Sequence, residues 1–241
     1  MNSSPPKPRN GWLEALPADR LLAEMSLWSA DLGKLEADTL RVELVTDIFH
    51  IDVADGHFSP AFLFFPDVVA RLRRITPKPF HVHLMVADAI LLDQIAQFVE
   101  AGADIISLHA ENRNAVEGLA AIKQAGVRAG IVLQLHTPVV SAEKFIGDID
   151  MLTLLGTRIG VKGQGLDPLA EDRLRQARAH VAARGMERRI IVAADGGIRE
   201  HTVPGLRAAG AETIVMGSLA FGAEDLDARM AWVHGLRTAE Q

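Results

Sequence analysis

The chain has 241 residues, 49% of them hydrophobic, and a formal net charge of -6 at pH 7. This length suits one α/β domain of barrel size or two small domains, and an even composition along the chain favours one. The acidic balance argues against nucleic acid as the main partner, and no apolar run approaches the length of a membrane span.

The chain begins with a polar stretch that contains several prolines. We expect residues 1–18 to form a short flexible extension and residues 19–241 to form the catalytic domain. The stretch has no apolar core of the signal-peptide type, and the chain has no cysteine. Both features fit a cytoplasmic protein.

Eight short apolar segments follow along the chain. They are nearly continuous in their apolar residues rather than alternating, which is typical of parallel strands covered on both faces. Glycines that end helical segments precede several of them, as at Gly102 and Gly210. The predicted strands are 22–27, 48–53, 80–85, 105–108, 129–133, 151–155, 190–193 and 213–216. The predicted helices are 31–45, 66–74, 90–101, 115–124, 168–184, 199–209 and 225–235.

Eight strands, each followed by a helix or turn, predict a single (β/α)₈ TIM barrel. A doubly wound open sheet is the weaker alternative, because no Gly-rich dinucleotide loop follows the first strand. In a barrel, site residues belong at the carboxyl ends of strands. Five polar residues of this chain are at such positions: His50, Asp52, His83, His109 and Asp195.

Four of these residues are of metal-binding type. A strand's period of two places His50 and Asp52 on the same side, where burial is costly unless they are paired or bind a metal. With His83 and Asp195 they make a set of two imidazoles and two carboxylates, which suits zinc, or iron, manganese or cobalt. A lone His is more simply a hydrogen-bonded core residue, as we expect for His81, but four such groups at one barrel end favour a metal.

The same positions predict acid/base chemistry. Asp52 and Asp195 belong to the second and seventh strands, so they should approach a bound molecule from different sides. Such a pair can remove a proton next to a ketone and return one on the opposite face. A metal beside the pair would polarise the carbonyl.

Gly-rich loops follow the last three strands and predict an anion site. Gly160, Lys162 and Gly163 follow the sixth strand, Gly196-Gly197 follows the seventh, and Gly217-Ser218 follows the eighth. Their backbone N–H groups suit phosphate, which barrels often hold at this end. We therefore expect a phosphorylated small-molecule substrate, although Lys162 and Arg158 would also be ordinary as solvated loop charges.

Over about residues 25–221, the chain resembles the ribulose-phosphate 3-epimerase family. The resemblance lies in 26–32, 50–58, 83–86, 109–111, 195–197 and 217–218. It implies a barrel isomerase that inverts C3 of a sugar phosphate with one divalent metal bound by His50, Asp52, His83 and Asp195, and with Asp52 and Asp195 as the acid/base pair. The substrate-binding residues that we predict are Ser26, His83, Met85, Gly160, Lys162, Gly163, Gly196, Gly197, Gly217 and Ser218.

The chain departs from the family pattern around the pocket. Ala54 and Leu155 replace two pocket methionines, Lys162 replaces a loop glycine, and His136 brings an imidazole near the barrel top. We therefore expect a divergent member that acts on a different sugar phosphate. A metal-dependent sugar-phosphate aldolase is the alternative function. The aromatic loop 62–65 suits either a lid or a subunit contact, and we expect a homo-oligomer.

Overall fold

The computed structural model describes residues 5–185 and 189–237, in which eight parallel strands pair in chain order and close into a barrel. Closure comes from the first strand, where Leu22 pairs with Thr213 of the last. The predicted (β/α)₈ fold is confirmed. The strands are β1 (Leu22–Ser26), β2 (Ile48–Ala54), β3 (Phe80–Met85), β4 (Ile105–His109), β5 (Arg128–Leu133), β6 (Met151–Leu155), β7 (Ile191–Asp195) and β8 (Thr213–Met216).

Helices cover the outside of the barrel at most of the predicted places. None in the described parts of the chain has the length and apolar character needed to cross a bilayer. The helices are α1 (Leu35–Val42), α2 (Pro66–Leu72), α3 (Leu91–Ala101), α4 (Ala115–Gln124), α5 (Ala170–Ala183), α6 (Val203–Ala208), α7 (Ser218–Phe221) and α8 (Leu226–Gly235).

Three connections differ from their prediction. The predicted helix 31–45 contains α1 between two 3-10 turns, and the first turn begins where the Asp31 side chain accepts a hydrogen bond from Gly33 N. The predicted helix 199–209 begins only at Val203, because Thr202 Oγ1 accepts from Arg199 N and forms a turn there. Between β5 and β6 the chain forms a 3-10 turn, Val139–Ala142, where no helix was predicted.

The inward side of the strands forms layers. At the amino end the layer is apolar and includes Leu22, Ile48 and Met151. Leu13 is buried against this layer, so the segment around it covers the amino end of the barrel. The division at residues 18 and 19 stays a prediction, and residues 1–4 and 238–241 lie outside the described residues.

Two residues further along β1, β3, β4 and β6, the interior becomes polar. Glu24, His81, Ser107 and Thr153 are completely buried there. Above them, at the carboxyl end, the inward side chains include Ser26, Asp52, His83 and Asp195. The barrel therefore changes from apolar to polar along its axis, and the change places ionisable groups at the end where barrel enzymes have their sites.

Candidate active site

The four side chains predicted to bind metal converge at the carboxyl end of the barrel. Asp52 Oδ1 lies 3.2 Å from His50 Nε2 and 3.2 Å from His83 Nδ1. Asp195 Oδ2 lies 3.9 Å from His50 Nε2 and 3.7 Å from His83 Nδ1. One ligand atom from each residue lies within 4.8 Å of all the others. Strands β2, β3 and β7 thus bring two nitrogens and two oxygens around one point.

These spacings fit a divalent metal. Ligand atoms of a tetrahedral site with metal bonds of about 2.0–2.2 Å lie about 3.3–3.6 Å apart. The four separations between an imidazole nitrogen and a carboxylate oxygen, 3.2–3.9 Å, bracket that range. The donor set of two imidazoles and two carboxylates is also one that zinc and related ions accept. His50, Asp52, His83 and Asp195 therefore form a candidate metal site.

Three of the four ligand-type side chains also make a contact on the side away from the shared point. Asp52 Oδ2 accepts a hydrogen bond from Ser26 Oγ at 3.0 Å, and His50 Nδ1 lies 3.0 Å from Glu24 Oε2. His83 Nε2 lies 2.9 Å from His109 Nε2. Such contacts fix the orientation of metal-binding side chains.

Glu24 was not predicted as a site residue from the sequence. It is fully buried on β1, two residues before Ser26. The period of two along that strand was the available signal, since it places Glu24 and Ser26 on the same inward side.

His109 and Glu111 continue the contacts beyond His83. His109 Nδ1 lies 3.1 Å from Glu111 Oε2. The other oxygen of Glu111 accepts hydrogen bonds from Gln134 N, at 3.0 Å, and from Thr137 Oγ1. The strand-end His109 is thus anchored to the loop after β5 and does not belong to the four converging groups.

The pKa values of the two candidate acid/base carboxylates differ strongly. Burial, together with the negative charge of Asp52 and against the attraction of His50, raises the pKa of Asp195 to about 6. Burial would also raise the pKa of Asp52, but the charge and hydrogen bonds of His50 and His83 outweigh it and hold that pKa far below its ordinary range. One carboxyl is therefore ionised at neutral pH while the other can carry or release a proton, which suits acid/base work.

A cavity of about 570 Å³ opens above these groups. Asp52 and Asp195 lie in its wall, whereas His50 is completely buried beneath it. Leu155, one of the positions where a departure is predicted, also faces the cavity. The structure brings all the predicted substrate-binding residues to this wall, namely Ser26, His83, Met85, Gly160, Lys162, Gly163, Gly196, Gly197, Gly217 and Ser218.

Two wall glycines have close neighbours, and only the first of them also needs a left-handed backbone. Gly197 has φ +72°, and a Cβ there would lie 2.7 Å from Leu166 Cα. At Gly217 a Cβ would lie 2.5 Å from Ser29 Oγ. The absence of side chains leaves the backbone of both residues open to a ligand, as phosphate-binding loops require.

Lys162 reaches across the mouth of the cavity from the loop after β6. Its Nζ donates to the carbonyl oxygen of Trp28, which follows β1, and lies 4.6 Å from the Trp28 ring centroid. Burial lowers the pKa of Lys162 against the attraction of Asp52. Arg158 is also in the wall, where its Nε donates to Gln164 Oε1 at 3.2 Å. His136 is exposed and stands apart from the cavity wall.

Comparison with known proteins identifies close relatives by sequence. The model of the ribulose-phosphate 3 epimerase family matches residues 22–221. Ribulose-phosphate 3-epimerase of Bacillus subtilis (strain 168) is 34% identical over 212 residues, which cover 87% of this chain and 96% of that protein. The Escherichia coli (strain K12) ribulose-phosphate 3-epimerase is 34% identical, with 83% and 88% covered, and the chloroplastic Arabidopsis thaliana enzyme is 32% identical, with 85% and 73% covered. The predicted resemblance is confirmed.

Solved structures show similarity of fold. A 3-hexulose-6-phosphate synthase from Salmonella typhimurium superimposes with a TM-score of 0.64 at 15% identity, covering 89% of this chain and 97% of that one. A tryptophan synthase A-subunit from Pyrococcus furiosus gives 0.65 at 17% identity, with 91% and 99% covered. At such identities the likeness is one of barrel architecture alone.

Proposed function

The chain belongs to the ribulose-phosphate 3-epimerase family, isomerases that act on sugar phosphates, and we propose that it inverts C3 of a ketose phosphate with Asp52 and Asp195 as the acid/base pair. The arrangement of Asp52 and Asp195 is the observation that supports this assignment most strongly. Two carboxyl groups from β2 and β7 face one cavity, and their surroundings drive their pKa values apart. Inversion needs such a pair, because one group must remove the C3 proton and another must supply a proton on the opposite face.

The roles follow from the two environments. Asp52, which stays ionised, accepts the C3 proton of one epimer. Asp195, whose pKa is raised to about 6, then gives a proton to the other face of the planar enediolate. In the reverse direction the two exchange roles. Ser26 Oγ, which donates to Asp52 Oδ2, leaves Asp52 Oδ1 for its contacts with His50 and His83.

We propose that one divalent metal occupies the site formed by His50, Asp52, His83 and Asp195, and that it is zinc. Two imidazoles and two carboxylates whose ligand atoms converge within 4.8 Å support this choice, and the same donors suit iron, manganese or cobalt. When bound, the metal would polarise the carbonyl next to C3 and so make the C3 proton easier to remove.

We assign the phosphate to the glycine loops at the far wall. The backbone of Gly197, Gly217 and Ser218 lines the cavity and would supply N–H donors, and the flanking glycines Gly160, Gly163 and Gly196 let the chain approach. His83 and Met85 bound the opposite side, where the sugar carbons would lie. Lys162 adds a positive charge above the cavity and contacts the substrate there in place of Trp28 O.

The remaining proposals concern the oligomeric state, the binding partners and the cellular location. We propose a homo-oligomer, because Phe62 and Phe65 are 84% and 58% exposed in the loop after β2. The cysteine-free, acidic chain supports a cytoplasmic enzyme without a nucleic-acid or membrane partner. A metal-dependent aldolase is the less supported alternative, because the curated relatives at 31–34% identity are named as epimerases.

A panel of substrates tests the function. Metal-loaded protein in heavy water is given ketotetrose, ketopentose and ketohexose phosphates and the matching free ketoses, and each is followed by NMR. We expect deuterium at C3 and the C3 epimer from at least one phosphate, with the free ketose much slower. Cleavage fragments would favour the aldolase, and no exchange on any ketose phosphate would refute the proposal.

Two variants control that experiment. Asp195→Asn should abolish epimer formation while the circular dichroism spectrum stays unchanged. Asp93→Asn, an exposed carboxylate on α3, should behave like the wild type. Epimer formation that survives in Asp195→Asn would remove Asp195 from the acid/base pair.

A further inference from the structure

Beneath the candidate metal site lies a buried polar chain of side chains. Glu24 Oε2 is 3.0 Å from His50 Nδ1 and 2.6 Å from His81 Nδ1. His81 Nε2 is 2.7 Å from Ser107 Oγ. All four residues are completely buried. Branched apolar residues usually fill these interior layers of a barrel, so the polar chain needs an explanation.

The contacts fix which ring nitrogens carry protons. A carboxylate oxygen only accepts hydrogen bonds, so the nitrogens of His50 and His81 that meet Glu24 Oε2 must both donate. His81 Nε2 then accepts from the Ser107 hydroxyl. For His50, the proton on Nδ1 leaves the lone pair of Nε2 for a metal, and Nε2 is the atom that faces Asp52 and Asp195.

A purely structural role explains Glu24 poorly. A buried carboxylate carries a large desolvation penalty, and well-packed apolar residues usually stabilise a core at least as well. Within residues 5–185 and 189–237, Glu24 Oε1 has no hydrogen-bond partner. Only one of its two oxygens is therefore used, and that oxygen contacts a predicted metal ligand.

We propose that Glu24 is a positioning residue for the metal centre. Through Nδ1 it fixes the ring orientation and tautomer of His50, and it makes Nε2 more basic. His81 Nδ1 meets the same oxygen of Glu24 from the other side, whereas Ser107 contacts only the far ring nitrogen of His81. The proposal rests on the proposed metal-dependent function, since it concerns how one ligand of that metal is oriented.

The test measures metal affinity directly. Metal-depleted wild type, Glu24→Gln and Ser107→Ala are titrated with Zn²⁺ against a chelator, and with Co²⁺ while the visible absorption is recorded. Ser107→Ala is the matched control, because it cuts the same buried chain but leaves the contact between Glu24 and His50. Thermal unfolding of each metal-free protein reports the purely structural effect.

We expect Glu24→Gln to weaken metal binding by about 10–100-fold and to change the Co²⁺ spectrum. Ser107→Ala should leave the Kd for Zn²⁺ within about threefold of the wild-type value, which is well below the loss expected for Glu24→Gln. Glu24→Gln with an unchanged Kd, or both variants with an equal loss of affinity, would overturn the proposal. If Glu24→Gln does not fold, Glu24→Asp is used, since its shorter reach should weaken binding equally. A wild type that binds no metal would refute the metal-dependent function instead.

Discussion

Asp47 offers a quantitative test of the fold. It precedes β2, and its carboxylate accepts from Arg20 Nη1 at 2.8 Å, Arg20 Nη2 at 2.7 Å and Ala23 N at 3.0 Å. His234 of α8 lies 3.3 Å away. Burial alone would raise the pKa of Asp47, but the hydrogen bonds from Arg20, His234 and Ala23 N, together with the charge of Arg20, outweigh it and lower the pKa from 3.8 to about 2. The ionised form thus stabilises the folded state by about 2–3 kcal/mol at pH 7.

The sign of the pH dependence follows from the lowered pKa. The contribution is present above about pH 4, and it is lost as the pH falls toward 2, with about half remaining at pH 3. Asp47→Asn should therefore lower the free energy of unfolding by about 2–3 kcal/mol at pH 7, or the melting temperature by about 5–10 °C. Near pH 3 the difference from wild type should be about half as large.

Urea unfolding at several pH values measures this difference. Asp148→Asn is the control, because Asp148 is 58% exposed in its ion pair with Lys123. An exposed pair of this kind contributes at most about 1 kcal/mol. An Asp47→Asn difference that does not change between pH 7 and pH 3, or that equals the control, would refute the reasoning.

Two further predictions concern the cavity wall. Gly197→Ala should raise the KM for a ketose phosphate by about tenfold or more, because the clash with Leu166 shifts the backbone that binds phosphate. Gly126→Ala, at φ +75° with open space, should lose stability without a change in KM, and equal kinetics of the two variants would count against the phosphate site. Lys162→Met should raise the KM for the phosphorylated ketose by about tenfold, which corresponds to the loss of one hydrogen bond to a charged group. The KM for the free ketose should barely change. Lys123→Met is its control, and a matching loss for both ketoses would exclude a role in phosphate recognition.

The sequence predicted the strands and most of the site because both follow local rules. Continuous apolar runs mark buried parallel strands, and the polar residues that end them mark the carboxyl end of a barrel. The structure places His83 and Asp195 at that end of the barrel, as this pattern predicted, and their roles stay predictions. The break in helix 31–45 was not predicted, because it depends on the turn that the Asp31 side chain forms with Gly33 N.

Local sequence patterns could not predict contacts between segments that are distant along the chain. Glu24 was hidden in an apolar strand, and only the closed barrel brings it to His81, 57 residues along the chain. The same holds for Lys162, whose contact with the carbonyl of Trp28 spans 134 residues. The position of a long side chain over a cavity depends on where several loops pack together, which period and composition do not describe.

The most direct test of the two-carboxylate reaction follows hydrogen isotopes in the wild-type enzyme. A ketose phosphate is converted in heavy water with bound metal, and early samples of substrate and product are compared by NMR and mass spectrometry. If Asp52 removes the proton from one face and Asp195 delivers another to the opposite face, the product should carry deuterium at C3. The unreacted substrate should still carry mostly hydrogen. A product that keeps the substrate's own C3 hydrogen would contradict the mechanism, because one group would then have moved the proton across.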